Sequence, residues 1–259
     1  IYTLSLHDAL PILVDIIQYG DNTRLSAAIE KVFTLGYAAG FEALIAYVND
    51  RLPQHEVMGA ALRRTIPMYP PLAVRESIAN ALIHQNFFQQ GAGPMVEIFP
   101  DRVEITNPGT PLIETDRFLD SPPISRNERL AAFLRRIGVC EERGSGFDKI
   151  VYETEKYQLP APEIEVYANT TRLILFAHRA FSQMSKADRL RACYLHAALQ
   201  RVNRGYMTNA TLRARFSVPA KNSATISRLI GEASDEGLIK LADDANTAAR
   251  SRRYVPYWA

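Results

Sequence analysis

The stretch RESIANALIHQNF, residues 75–87, decides how the rest of the chain is read. A helix turns by about 100° per residue, so Glu76, Asn80, Ile83 and Phe87 are expected on one stripe, with Val74, Ile78, Ala81 and Leu82 on the opposite, core-facing side. Pro70-Pro71 just ahead suits a helix start, because a proline in the first turn gives up no hydrogen bond. A carboxylate can accept a proton from water, and a neutral asparagine oxygen is a hard ligand of the kind magnesium takes beside waters and phosphate oxygens. On spacing alone, a solvated helix face accounts for Glu76 and Asn80 better than a site does.

The order of the following segments changes that balance. MVEIFPDRVEIT, residues 95–106, predicts two short strands about a turn at Pro100-Asp101, with Val96, Ile98, Val103 and Ile105 as the alternating apolar set. Asn107-Pro108-Gly109 is expected to end the second strand in a tight turn. Past a proline-bearing linker, Ser125-Arg126-Asn127-Glu128 has the spacing of a capping box. The helix it opens has Leu130, Phe133, Leu134 and Ile137 as its apolar stripe and Gly138 as its stop. Gly144-Ser145-Gly146 then leads into the amphipathic run FDKIVYETEKY. Backbone N–H groups of a glycine turn at a helix start can approach an anion closely, although a Gly-x-Gly before a helix is more often plain punctuation.

Taken in order, Arg75-Glu76, Asn80-Ala81, His84, Glu104-Ile105, Asn107-Pro108-Gly109, Ser125-Arg126-Asn127 and Gly144-Ser145-Gly146 resemble the GHKL-type ATP-binding domain of bacterial transcriptional regulators. Members are described by similarity to the C-terminal region of RecG-like ATP-dependent DNA helicases and usually follow a Schlafen/AlbA-type DNA-binding domain. The resemblance implies an α+β fold, a GHKL-like sandwich of a mixed sheet with helices on one face. It implies ATP and Mg²⁺ as cofactors, Glu76 as the base that activates water, and Asn80 as the magnesium ligand. Gly144, Ser145 and Gly146 become the phosphate turn, and residues 110–143 a lid over the nucleotide. Adenine recognition departs from the wider pattern. The aspartate of the usual Asp-x-Gly-x-Gly box is replaced by Asn107; Gly109 is kept, and Pro111 stands at the second glycine. An asparagine oxygen still accepts a hydrogen bond, without a carboxylate's charge. Arg126 and Asn127 either reach phosphate across the lid or serve only at the helix start. His84 reads as a structural hydrogen-bonding residue. The absence of Gly-x-x-x-x-Gly-Lys argues against a helicase motor.

The formal charge of +2 conceals an asymmetry: residues 185–259 hold thirteen Lys/Arg against six Asp/Glu, which places +7 there and −5 in the remainder. A basic tail beside an acidic body points to an anionic partner. Within the tail, residues 186–202 predict a helix with Leu190, Cys193, Tyr194, Ala197 and Ala198 inward. Thr208 caps a second helix through Phe216, a third spans about 222–236, and a hairpin runs from Gly237 through Leu241 to a return strand at 253–257. That order is the pattern of a winged helix, whose third helix enters the major groove of double-stranded DNA. Lys221, Asn222, Ser223, Thr225 and Arg228 are then expected near DNA, with Arg250, Arg252 and Arg253 on phosphates. The alternative is that this unit only packs against the body or a second copy of the chain, so a homodimer is the other expected assembly.

At 259 residues and 47% hydrophobic content the chain can bury a large domain and a smaller one. The expected division is an ATP-binding domain over 67–182, a connecting region of it over 13–66, and the tail over 185–259. No apolar run reaches the ~18–20 residues of a membrane span. Cys140 and Cys193 have neither metal nor disulfide spacing, which suits the cytoplasm. IYTLSLHDALPI, residues 1–12, resembles translated sequencing-adapter read-through; no native role is expected for it, and a domain is expected upstream. LVDIIQYG, residues 13–20, reads as a strand, and residues 26–52 as helical, with Phe33, Tyr37, Phe41, Leu44 and Val48 as a core or dimer stripe. Two functions of different class follow: a nucleotide-binding, DNA-associated regulator with slow or no hydrolysis, or a GHKL-like scaffold with an empty pocket acting through dimerisation and DNA contact. A histidine kinase ranks behind both, since no phosphoacceptor helix precedes the domain.

Overall fold

Alternation at residues 95–106 produces the hairpin at the heart of the molecule. The computed structural model describes residues 13–26, 28–58, 63–140, 146–242 and 252–259, the side chains of 55–58 and 63–66 excepted. Strands β1 (Val14–Tyr19) and β2 (Ala28–Phe33) lead to helix α1 (Tyr37–Arg51), a hairpin of β3 (Gln54–Met58) and β4 (Arg63–Pro67), and helix α2 (Pro71–His84). Next come β5 (Met95–Ile98), β6 (Arg102–Pro108), α3 (Glu128–Arg136), α4 (Gly146–Lys156), β7 (Glu163–Tyr167) and β8 (Thr170–Phe176). The tail holds α5 (Lys186–Val202), α6 (Asn209–Arg215), α7 (Ser223–Asp235), β9 (Ile239–Leu241) and β10 (Tyr254–Pro256). No described helix is long and apolar enough to cross a membrane.

The architecture is α+β, with a mixed six-stranded sheet in the order β2-β1-β5-β6-β8-β7. β1 and β5 run parallel, and the other neighbours are antiparallel. Val96 opposes Ile105 and Ile98 opposes Val103, which puts all four on one face. That face and Val14 and Ile16 of β1 pack against α1, α2, α3 and α4 in one apolar cluster.

The other face carries an ion network that hydrophobic alternation does not foretell. Glu97 and Glu104 lie directly opposite each other and are 1% and 3% exposed. The Arg24 guanidinium grips both, with Nε 2.6 Å from Glu97 Oε1 and Nη2 2.5 Å from Glu104 Oε2. Arg102 Nε donates to Glu104 Oε1 at 2.6 Å while its guanidinium stacks over Phe99. Two apposed buried carboxylates persist only with such cations close by.

Several local expectations give way to tertiary structure. The start of the segment expected to be helical, 28–33, is strand β2, an edge strand whose Ile29 and Val32 are exposed; α1 begins only after Gly36, which has φ +76°. Tyr37, Phe41, Leu44 and Val48 are buried on α1 as their spacing predicts, whereas Phe33 packs edge-on against Tyr47 from the strand. Helix α2 stops at His84, so Phe87 leaves the predicted stripe and is exposed. Asn107 and Pro108 remain in β6, paired with Thr171 and Thr170, and the turn falls on Gly109 at φ +104°.

Tail helices α5, α6 and α7 follow in the order their periodicity predicts. Ser185 caps α5 by accepting from Asp188 N, and Thr208 caps α6 by accepting from Thr211 N. Their apolar cluster also takes in Leu119, Val151 and Ala161 of the body. Two polar fastenings join the parts. Glu155 of α4 meets His196 Nδ1 at 3.0 Å and Arg215 Nε at 3.6 Å, and Arg215 Nη2 donates to Leu159 O at 2.6 Å. At the 115–117 turn, Tyr194 Oη donates to Asp116 O at 2.5 Å, Tyr257 Oη donates to the Asp116 carboxylate, and Arg117 lies over the Trp258 ring.

Candidate functional site

The site grows from α2, which is buried on nearly every side: Ala73, Val74, Ile78 and Leu82 face the core, and Glu76 itself is 2% exposed. Burying a carboxylate costs unless charges sit near it. Burial pushes the Glu76 carboxyl above its usual range, and Arg75 and Lys149 pull it back. Arg75 donates from Nη1 to Glu76 Oε1 at 3.2 Å and from Nη2 to Gly138 O at 2.5 Å, tying the end of α3 to the base of α2. Asn80, one turn on from Glu76, is half-buried.

Gly146, the first residue of α4, stands over these two side chains. A Cβ there would lie 3.2 Å from Asn80 Nδ2 and 3.3 Å from both Asn80 Oδ1 and Glu76 Oε2. A hydrogen in place of that carbon lets the start of α4 close on the acid and the amide. Gly144 and Ser145 lie outside the described residues. Glu76, Asn80 and Gly146 together form one wall of a cavity of about 870 Å³. Its floor is β6 and β8, with Ile105, Asn107, Thr171 and Leu173; its roof is drawn from residues 110–113 and 118–126 and from α3.

Asn107 is buried, and its Nδ2 donates to Pro108 O at 3.1 Å, which leaves the side-chain oxygen as an acceptor at the cavity floor. Gly109 is clasped by its neighbours: its N–H donates to Asn169 O at 2.6 Å and its carbonyl accepts from Thr171 Oγ1 at 2.6 Å. Arg126 donates to His84 O at 3.0 Å and to Thr110 O at 2.5 Å, and Asn127 donates to Ile83 O and Gln85 O, both at 2.8 Å. These two side chains therefore satisfy the orphan carbonyls at the C-terminal end of α2. The capping box at Ser125 and Glu128 does not form; Asn127 takes the N-cap position without a side-chain cap bond, because its amide is engaged with α2. Ala131 and Leu134 are the buried residues of α3, while Phe133 and Ile137 are exposed. His84 borders the cavity, its ring pushed toward the neutral form by burial and by Arg126.

The residue types fit a magnesium nucleotide. Among the described residues no three His, Cys, Asp or Glu cluster to hold a metal unaided. One amide oxygen beside a tight glycine approach suits a cation that draws its remaining ligands from phosphate and water. Thr171 on the cavity floor was not singled out by the sequence, since its position depends on β8 pairing with β6.

Away from the cavity, Lys221 and Asn222 occupy a short turn before α7, and Ser223 and Arg228 lie on α7, all four exposed; Thr225 is half-buried. Asn209 of α6 donates to Ser223 O and Ser227 Oγ, each at 3.0 Å, and so fixes the start of α7. Arg252 and Arg253 are exposed ahead of β10, with Arg253 over the Tyr206 ring; Arg250 lies outside the described residues.

Comparison with known proteins bears on the middle of the chain. The family model described as "Putative ATP-dependent DNA helicase recG C-terminal" matches residues 91–175, which run from the turn before β5 to β8 and include the cavity's floor and roof but not α2. No curated protein matches the chain. Among solved structures, the DIP2311 protein from Corynebacterium diphtheriae is similar at a TM-score of 0.60 and 17% identity, over 94% of this chain and 51% of that one. The likeness shows the fold, and this chain spans about half the length of that protein. The family match and the α+β architecture together support an ATPase-like domain in this chain.

Proposed function

We propose that the protein binds ATP with magnesium in the cavity between α2, α4 and the 110–126 roof, and that residues 185–259 form a winged helix contacting double-stranded DNA, in a transcriptional regulator. The observation that carries the nucleotide reading is Gly146 packed against Asn80 and Glu76. Asn80 would hold the magnesium through its carboxamide oxygen, with Gly146 letting the N-terminal end of α4 come close enough for its N–H groups to face phosphate. Bound magnesium supplies positive charge to the phosphate oxygens. Glu76, its proton affinity raised by burial, would take a proton from water. Asn107 would accept from the adenine amino group, more weakly than a carboxylate would, and slow or absent hydrolysis is the expected consequence.

Titration calorimetry tests this. Wild-type protein is expected to release heat on addition of Mg-ATP, and Asn80→Ala to weaken binding by roughly tenfold or more, about 1.4 kcal/mol per tenfold. Heat from neither protein would favour the empty scaffold; equal binding by both would remove Asn80 from the metal. The DNA reading rests on the exposed Lys221, Arg228, Arg252 and Arg253 in a tail of net charge +7. Phosphate contacts release counterions, so a DNA mobility shift should be lost steeply between 50 and 200 mM salt, by roughly 10³ or more in affinity if about six phosphates are neutralised. A shift insensitive to salt, or none at low salt, would sink it.

A further inference from the structure

Among the described residues three arginines line the cavity, Arg126, Arg129 and Arg135, and of these Arg135 is the one left uncommitted. Arg126 is engaged with two backbone carbonyls, and Arg129 is exposed in the first turn of α3. Arg135 is half-buried in the cavity wall, and among the described residues no carboxylate or carbonyl pairs with its guanidinium. A cation in the last turn of a helix is favoured by the helix's negative end. Arg136 meets that preference in solvent, whereas Arg135 faces the cavity.

The end of α3 is brought to the acid. Arg75 holds Gly138 O while it holds Glu76, and Cys140 just beyond borders the same cavity. The Cys140 thiol is pushed up by burial and senses Arg135 and Glu76 together, so the guanidinium and the carboxylate act on one small region. A nucleoside triphosphate placed with its metal at Asn80 would bring its outermost charge toward Glu76, where an unpaired anion needs a compensating cation. A planar guanidinium suits that task because it can donate two parallel hydrogen bonds to phosphate oxygens.

We infer that Arg135 is the residue that binds the terminal phosphate and so separates nucleoside triphosphates from diphosphates at this cavity. This rests on the nucleotide reading above. The full chain is titrated with Mg-ADP and with the Mg complex of a non-hydrolysable ATP analogue, for wild type, Arg135→Ala, Arg135→Lys and Arg136→Ala. Arg135→Ala should weaken the triphosphate analogue by roughly tenfold to a hundredfold and ADP by less than about twofold. Arg135→Lys should recover part of the loss, and Arg136→Ala should behave as wild type. An equal fall for both nucleotides, or no change for either, overturns the inference while the nucleotide reading stands. A wild-type protein that binds neither nucleotide overturns both. Melting curves identify a variant that has lost its fold, in which case the Arg135→Lys comparison decides.

Discussion

Replacing Gly146 by valine is expected to lower the affinity for Mg-ATP by roughly a hundredfold, about 2.7 kcal/mol, while leaving the protein folded. The Cβ itself would lie 3.2–3.3 Å from the Asn80 amide and the Glu76 carboxylate, and valine adds two methyl groups beyond it. Both side chains would have to swing away from the start of α4, separating the proposed metal ligand from the proposed phosphate turn. Gly146→Ala sharpens the test, since its one added carbon asks the Asn80 and Glu76 side chains to give by only a few tenths of an ångström. Gly146→Ala should therefore bind nucleotide more weakly than wild type and lose less affinity than Gly146→Val. Undiminished binding by both variants, measured by calorimetry alongside thermal melts, would show that the approach of α4 to α2 serves packing alone.

Glu155→Ala is expected to destabilise the folded state by about 3–5 kcal/mol, the usual cost of leaving a buried charge without its partner. Arg215 is 5% exposed, and burial pulls its guanidinium down from its ordinary affinity for protons against the opposing pull of Glu155. Among the described residues its Nε and Nη1 have no hydrogen-bond partner, so Glu155 is what compensates the charge. Removing the charge as well should reverse much of the loss, and Glu155→Ala with Arg215→Met is expected to be more stable than Glu155→Ala alone. Denaturant unfolding of the four proteins of this cycle measures the coupling. Additive effects would mean that the bond from Arg215 to Leu159 and the surrounding packing hold the tail without help from charge.

The parts of the fold legible in the sequence were those where local pattern and tertiary demand agree. Val96, Ile98, Val103 and Ile105 alternate because one face of their hairpin meets helices, and Thr208 caps its helix with a bond that spans three residues. The misreadings lie where distant partners override local signals. Residues 28–33 form a strand because β1 offers an edge to pair with, while their exposed side chains carry little periodic contrast. Ser125 and Glu128 have capping spacing, yet the Asn127 amide bonds to Ile83 and Gln85, forty residues earlier and more. In the cavity lining, Glu76, Asn80 and Asn107 are singled out by the order of segments in the family resemblance, not by spacing alone. Thr171 and Arg135 are not, for their places follow from β-sheet register and from the tether between Arg75 and Gly138.

Trp258 is the chain's one tryptophan, and its indole N–H donates to Tyr194 Oη at 3.1 Å beside the Arg117 guanidinium. The same Tyr194 hydroxyl holds the backbone of Asp116, two residues from Phe118 in the cavity's roof. A natural fluorophore is therefore wired to the covering of the pocket through two hydrogen bonds. Its emission offers an optical signal, with no label attached, for any rearrangement of that covering.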